Sequence, residues 1–210
     1  MNEVIPGILE QEWSEIEKKL AIIKPFSRTV HIDLLDGKFA PNTTFLDPTP
    51  FAKYSKDFFF ELHMMVDEPI DYLESWADAG IRRFIGQIEK MEDQIAFVAK
   101  AQTYGEVGLG VDAATKPEAI TVDYEDLDFL FAMTVKAGFS HQSFLPEALK
   151  KVSYFRERTG IPIEVDGGVN DRTILEAKKA GATRFISTGF LFKSEDPGEA
   201  YKTLTACVQK

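Results

Sequence analysis

Eight short apolar runs, each followed by a stretch of helical spacing and recurring about every 26 residues, organise this chain of 210 residues. Strands are expected at 4–9, 29–33, 58–65, 83–86, 107–111, 128–135, 161–165 and 184–187. Helices are expected at 15–23, 51–56, 69–79, 92–104, shortly after Pro117, 146–158, 171–180 and 197–208. Pro69, Pro117 and Pro146 open helices, while Gly80, Gly105, Gly160 and Gly181 close them. Regular strand–helix alternation puts parallel strands side by side under a layer of helices. Eight such units predict an α/β fold, a (β/α)8 TIM barrel filling a single domain over 1–210, in preference to an open doubly wound sheet. No linker-like or low-complexity stretch interrupts the series.

Active sites of such barrels lie where the strands end, so polar residues late in a strand are the informative ones. They are His31 and Asp33 in the second run, Glu61 and His63 in the third, Gln87 and Glu89 after the fourth, and Glu164 and Asp166 in the seventh. Residues two apart on a strand share a face, so each pair points the same way. Two histidines and two aspartates from three strands at one barrel mouth form a candidate site for one divalent cation. Mixed nitrogen and oxygen ligation suits Zn, Fe(II), Mn or Co without choosing among them. The competing reading makes His31 and His63 hydrogen-bonded core histidines. Asp33 and Asp166 argue against it, because a buried carboxylate is costly without a cationic partner. Glu61 and Glu164 sit one pleat deeper, as orienting partners of the ligands or as members of core salt bridges.

A net charge of −10 argues against nonspecific nucleic-acid binding, and any anion must be held locally by backbone N–H groups. No apolar run approaches the roughly 18 residues of a membrane span, and Met1-Asn2-Glu3 does not begin like a secretion signal. Cys207 is the only cysteine, so no internal disulfide forms and a reducing, cytoplasmic location is expected.

His31-Ile-Asp33-Leu-Leu-Asp36-Gly37-Lys-Phe39-Ala-Pro41-Asn42 resembles the signature of ribulose-phosphate 3-epimerases. So do Leu62-His63-Met64-Met65-Val66, Met133-Thr134-Val135 with Gly138-Phe139 and Gln142, and Val165-Asp166-Gly167-Gly168. These blocks follow the family's order over nearly the whole chain. The resemblance implies a metal-dependent barrel that inverts C3 of a ketopentose phosphate, with no organic cofactor. His31, Asp33, His63 and Asp166 would ligate one divalent metal, and Asp33 and Asp166 would be the catalytic pair moving protons on opposite faces of the substrate. Substrate-side positions by this resemblance are Gly7, Met65, Met133, Gly138, Ser140, His141, Gly167, Gly168, Thr188 and Gly189. The implied partner is a phosphorylated sugar, and a homo-oligomer is expected from the family alone.

Several positions depart from the family pattern. Gly7 stands where a serine is usual, and Gln87 where a histidine precedes Glu89. Asp112-Ala113 replaces Asn-Pro, Lys136 to Gln142 replaces a glycine-rich loop, and Thr188-Gly189 replaces Gly-Ser. The last two changes fall on loops expected to hold phosphate. They keep two alternatives open: a different ketose phosphate such as allulose 6-phosphate, or a catalytically inactive binding homologue. A decarboxylase or aldolase is disfavoured, since only Lys136, in a loop, lies near the ligand positions.

Overall fold

In a computed structural model, described here for residues 2–139 and 142–209, the eight strands close on themselves in chain order, every neighbour parallel. They are β1 (Glu3–Ile8), β2 (Thr29–Leu35), β3 (Phe59–Met65), β4 (Arg83–Gln87), β5 (Glu106–Val111), β6 (Phe129–Met133), β7 (Ile163–Asp166) and β8 (Arg184–Ser187). The helices are α1 (Trp13–Ile23), α2 (Leu73–Asp78), α3 (Gln94–Ala101), α4 (Leu149–Arg156), α5 (Thr173–Ala180), α6 (Gly189–Phe192) and α7 (Pro197–Gln209). The barrel expected from eight alternating units is the architecture found.

Two bodies of apolar side chains hold it. Outward-facing strand residues such as Ile32, Phe60, Phe84 and Val165 pack against the helix layer, where α1 buries Ile16, Leu20 and Ile23 at the spacing of one helix face. Inward-facing Ile5, Leu35, Met65, Ile85, Phe129, Phe131, Met133 and Ile186 fill the interior. Gly108 and Gly110 of β5 make that filling possible: a Cβ at 108 would lie 2.5 Å from the Phe129 ring, and one at 110 would lie 3.1 Å from Phe131. Glycine costs strand stability, but here it lets two phenyl rings from β6 cross the barrel.

Two helical layers are thinner than the sequence suggests. The helix expected at 51–56 is a 3-10 helix, Thr49–Tyr54, and β5 is followed only by the 3-10 turns Pro117–Ala119 and Tyr124–Asp126. Asp123 accepts from Glu125 N, a local bond that competes with helix growth. Pro69–Asp71 is likewise a separate 3-10 turn before α2, entered through Glu68 in the left-handed region at φ 51°. The seventh strand starts two residues later than expected, after Pro162, whose carbonyl accepts from Leu130 N, and ends on Asp166. The short α6 was not anticipated.

Phe51 compensates for the missing helix of the second unit. It is fully buried, edge-on to Trp13 at 5.0 Å and Phe60 at 5.6 Å, and 5.2 Å from Trp76. Phe51→Ala is expected to cost about 3–5 kcal/mol, read as a lower urea midpoint at unchanged m-value.

Candidate active site

Strand alternation aims His31 and Asp33 of β2, Glu61 and His63 of β3, Glu164 and Asp166 of β7 into the barrel. Register sets His31 beside Glu61 and Asp33 beside His63, while Asp166 lies between Met133 and Ile186. His31 Nδ1 donates to Glu61 Oε1 at 2.7 Å, and Glu61 Oε2 accepts from Arg83 at 2.6 Å. Arg83 passes the chain on to Glu106 at 2.7 Å. His63 Nε2 donates to Gln87 Oε1 at 3.0 Å. Phe131 lies parallel to the His31 ring at 5.9 Å and 4.4 Å from the His63 ring, which limits both rotations.

Those bonds leave His31 Nε2 and His63 Nδ1 aimed at one oxygen, Asp33 Oδ1, at 3.2 and 3.0 Å. In neutral imidazoles with the tautomers just described, these nitrogens carry lone pairs. Three acceptors therefore converge where a proton or a cation must lie among them. Asp166 completes the group: one ligand-type atom from each of His31, Asp33, His63 and Asp166 lies within 4.8 Å of the others. The charges point the same way. With every carboxylate ionised and both imidazoles neutral, Asp33, Glu61, Glu164 and Asp166 would stand two positive charges short of balance against the guanidinium groups of Arg83 and Arg184, a shortfall that protons or a cation can meet. The donor set, with two nitrogens and two carboxylates, fits a divalent metal.

The electrostatics follow from burial and these neighbours. Burial alone would pull the His31 pKa down, but Asp33 and Glu61 outweigh it and raise it well above the usual range. Burial would raise Asp33, yet the two histidines hold it below an ordinary carboxylate. Glu61 likewise resists burial through His31 and Arg83 and falls to about 2. Burial and the Asp33 charge push Asp166 up to about 6. Burial and Glu61 raise Glu164 well above its usual value, and neither of its oxygens has a hydrogen-bond partner among the described residues.

Asp33 and Asp166 open onto a cavity of about 940 Å³ at the C-terminal ends of the strands. Met65 and Met133 line it, with Gly138, Gly167, Gly168, Thr188 and Gly189 around the rim. Gly167 (φ 112°) and Gly168 (φ 67°) adopt left-handed backbone that a side chain would strain.

The ribulose-phosphate 3 epimerase family model matches residues 3–192. The chain belongs to the ribulose-phosphate 3-epimerase family. A ribulose-phosphate 3-epimerase of Schizosaccharomyces pombe is 33% identical over 99% of this chain and 94% of its own length. The ribulose-phosphate 3-epimerase, cytoplasmic isoform, of Oryza sativa is 30% identical over 99% of the chain and 94% of its own. A crystal structure of 3-hexulose-6-phosphate synthase from Salmonella typhimurium superposes with TM-score 0.73 at 12% identity, covering 100% of this chain and 99% of that one, a likeness of fold. Membership of this family places the chain among the carbohydrate epimerases, within the isomerases.

Seen as an epimerase-family barrel, the structure gathers His31, Asp33, His63 and Asp166 and sets Met65 and Met133 beside them. Gly7 does not line the cavity, because Thr188 lies over it. Ser187, next to Thr188, is buried and donates to Val169 O at 3.1 Å. Ser140 and His141 lie outside the described residues. Four supporting residues escaped the sequence reading. Phe131 braces the imidazoles, and Arg83 anchors Glu61 from the start of β4. Thr134 turns its hydroxyl to the carbonyls of Asp166 and Gly167, at 2.9 and 2.5 Å, fixing the end of β7. Buried Lys151 donates to the carbonyls of Asp112 and Ala113. Asp112 in turn accepts from Ala137 N at 2.8 Å, so the loop after β5 supports the loop after β6. Of these, only Thr134 stands in a block already quoted from the sequence, Met133-Thr134-Val135.

A carboxyl whose folded pKa is raised contributes stability in full below its unfolded pKa and loses it as pH rises through the folded value. Asp166→Asn is therefore expected to raise the Tm of chelator-treated protein at pH 8 by roughly 3–6 °C, for a relief of about 1–2 kcal/mol. The difference should vanish only below about pH 3, where the wild-type carboxyl is protonated folded and unfolded. Paired thermal melts across pH check it.

Proposed function

We propose that this barrel, as a single domain over 1–210, is a metal-dependent epimerase inverting C3 of a ketose phosphate, interconverting ribulose 5-phosphate and xylulose 5-phosphate. The observation that carries the reading is the approach of Asp33 and Asp166 from strands on different sides of the same cavity, Asp33 within hydrogen-bond reach of His31 Nε2 and His63 Nδ1 and Asp166 within 4.8 Å of the same group. His31 Nε2, His63 Nδ1 and the two aspartates would hold one divalent cation, which would lend Lewis acidity to the C2 carbonyl and C3 hydroxyl oxygens. Elemental analysis of the purified protein distinguishes Zn, Fe(II), Mn and Co.

The C3 proton is acidified by the neighbouring ketone, and its removal gives an enediolate. One aspartate takes the proton from one face of the planar C2–C3 unit. The other, across the cavity, delivers a proton to the opposite face, and the centre inverts. Glu61 and Gln87 hold the imidazoles still through both transfers, since each accepts the N–H on the far side of its ring. Met65 and Met133 give the reacting carbons an apolar floor that keeps water from reprotonating them at random. Gly167, Gly168 and Gly189 present backbone N–H groups to the phosphate, where a chain of net charge −10 has no general attraction to offer. The rice relative is a cytoplasmic isoform, which supports a cytoplasmic location, and no helix among the described residues is long and apolar enough to cross a membrane.

Asp33→Asn and Asp166→Asn are each expected to lower kcat by about 10³-fold or more, since each removes a proton carrier. Wild-type enzyme in D2O should place deuterium at C3 of both pentulose phosphates. Near-wild-type rates in both variants would reject the two-aspartate assignment. A panel that includes allulose 6-phosphate, compared by kcat/KM, decides which ketose phosphate is preferred.

A further inference from the structure

Two of the departures noted in the sequence, at residues 7 and 188, meet in space. Gly7 follows Ile5 by two on β1, so it faces the barrel interior, level with His31. Ile186, the β8 neighbour of Asp166, also faces inward, and Thr188 follows it by two on the same side. A Cβ on residue 7 would stand 2.4 Å from Thr188 Oγ1 and 2.9 Å from Ile186 Cγ2. Gly7 has no left-handed φ, so its backbone does not demand glycine; the space does. Only one of these two positions can carry a side chain into this corner. Thr188 carries it, and its hydroxyl makes no hydrogen bond to protein among the described residues, unlike that of Ser187 next to it. Thr188 lines the cavity together with Asp33 and Asp166.

We propose that Thr188 Oγ1 hydrogen-bonds a hydroxyl of the bound sugar chain at the β1–β8 corner, and that Gly7 is side-chain-free because this hydroxyl occupies its space. The proposal rests on the cavity taking a phosphorylated sugar. A threonine hydroxyl both donates and accepts, as a sugar hydroxyl does, so the pair can bond in either sense. Thr188 also brings a methyl group, which narrows the corner against a bulkier substituent. Residues 7 and 188 thus form one specificity element, and the two departures are a single exchange of a side chain between adjacent strands.

The test uses full-length protein and calorimetric binding of xylitol 5-phosphate, a polyol phosphate without the carbonyl that turnover needs. Thr188→Val, which keeps shape and loses the hydroxyl, should weaken binding about tenfold, while Thr188→Ser stays within about threefold of wild type. Gly7→Ser should lower Tm and binding together through its collision with Thr188. The double variant Gly7→Ser/Thr188→Gly should recover both, whereas Thr188→Gly alone binds weakly. Wild-type affinity in Thr188→Val, or a double variant no better than Thr188→Gly, overturns the proposal, as does a wild type that binds no polyol phosphate. A wild type that binds the probe with this variant pattern yet exchanges no C3 proton would sink the epimerase reading and leave the role of Thr188 standing.

Discussion

Four carboxylates and two guanidinium groups enclosed in one barrel cannot be balanced by each other, and much of the site's geometry follows from that deficit. Glu61 resolves its share through Arg83 and the His31 N–H. Burial and the Glu61 charge raise the Glu164 pKa, and its nearest nitrogens, Arg184 at 3.9 Å and His31 at 3.8 Å, do not offset them. Asp33 and Asp166 at the top are left with two imidazoles whose free nitrogens are acceptors when neutral. Protons can fill the gap, but a divalent cation supplies both missing charges at one point. The buried arginines set this balance from below, where nothing touches a substrate.

Rigidity comes from different interactions than charge. The imidazoles are clamped at their far nitrogens by Glu61 and Gln87 and held by the Phe131 ring. Thr134 ties the end of β7, and Lys151 with Asp112 ties the next two loops to each other. In the proposed reaction such supports would matter, because small displacements of a proton-carrying carboxylate are costly in rate.

The barrel was legible because its signal is a repeat: alternating apolar runs, helix spacing and glycine stops occur eight times. His31, Asp33, His63 and Asp166 were legible because a charged residue late in an apolar strand has few structural reasons to be there. What stayed hidden depends on contacts between distant segments. Gly108 and Gly110 read as weak points in a strand until Phe129 and Phe131 are seen lying across them. Pro117 reads as a helix start, but the β-branched and acidic residues after it favour local bonds over helix. Gly7 reads as a lost hydroxyl, and only the folded chain brings Thr188 against it.

Phe129 and Phe131, both fully buried, lie across the middle of the barrel at the level of the buried polar chain. They act as a stopper: solvent approaching from the N-terminal end of the strands meets aromatic carbon before it meets an imidazole. Asp33 and Asp166 above the stopper therefore meet bulk water through the open end, the mouth of the cavity itself. A molecule seated in that doorway isolates its own hydrogens from the surrounding liquid for as long as it stays.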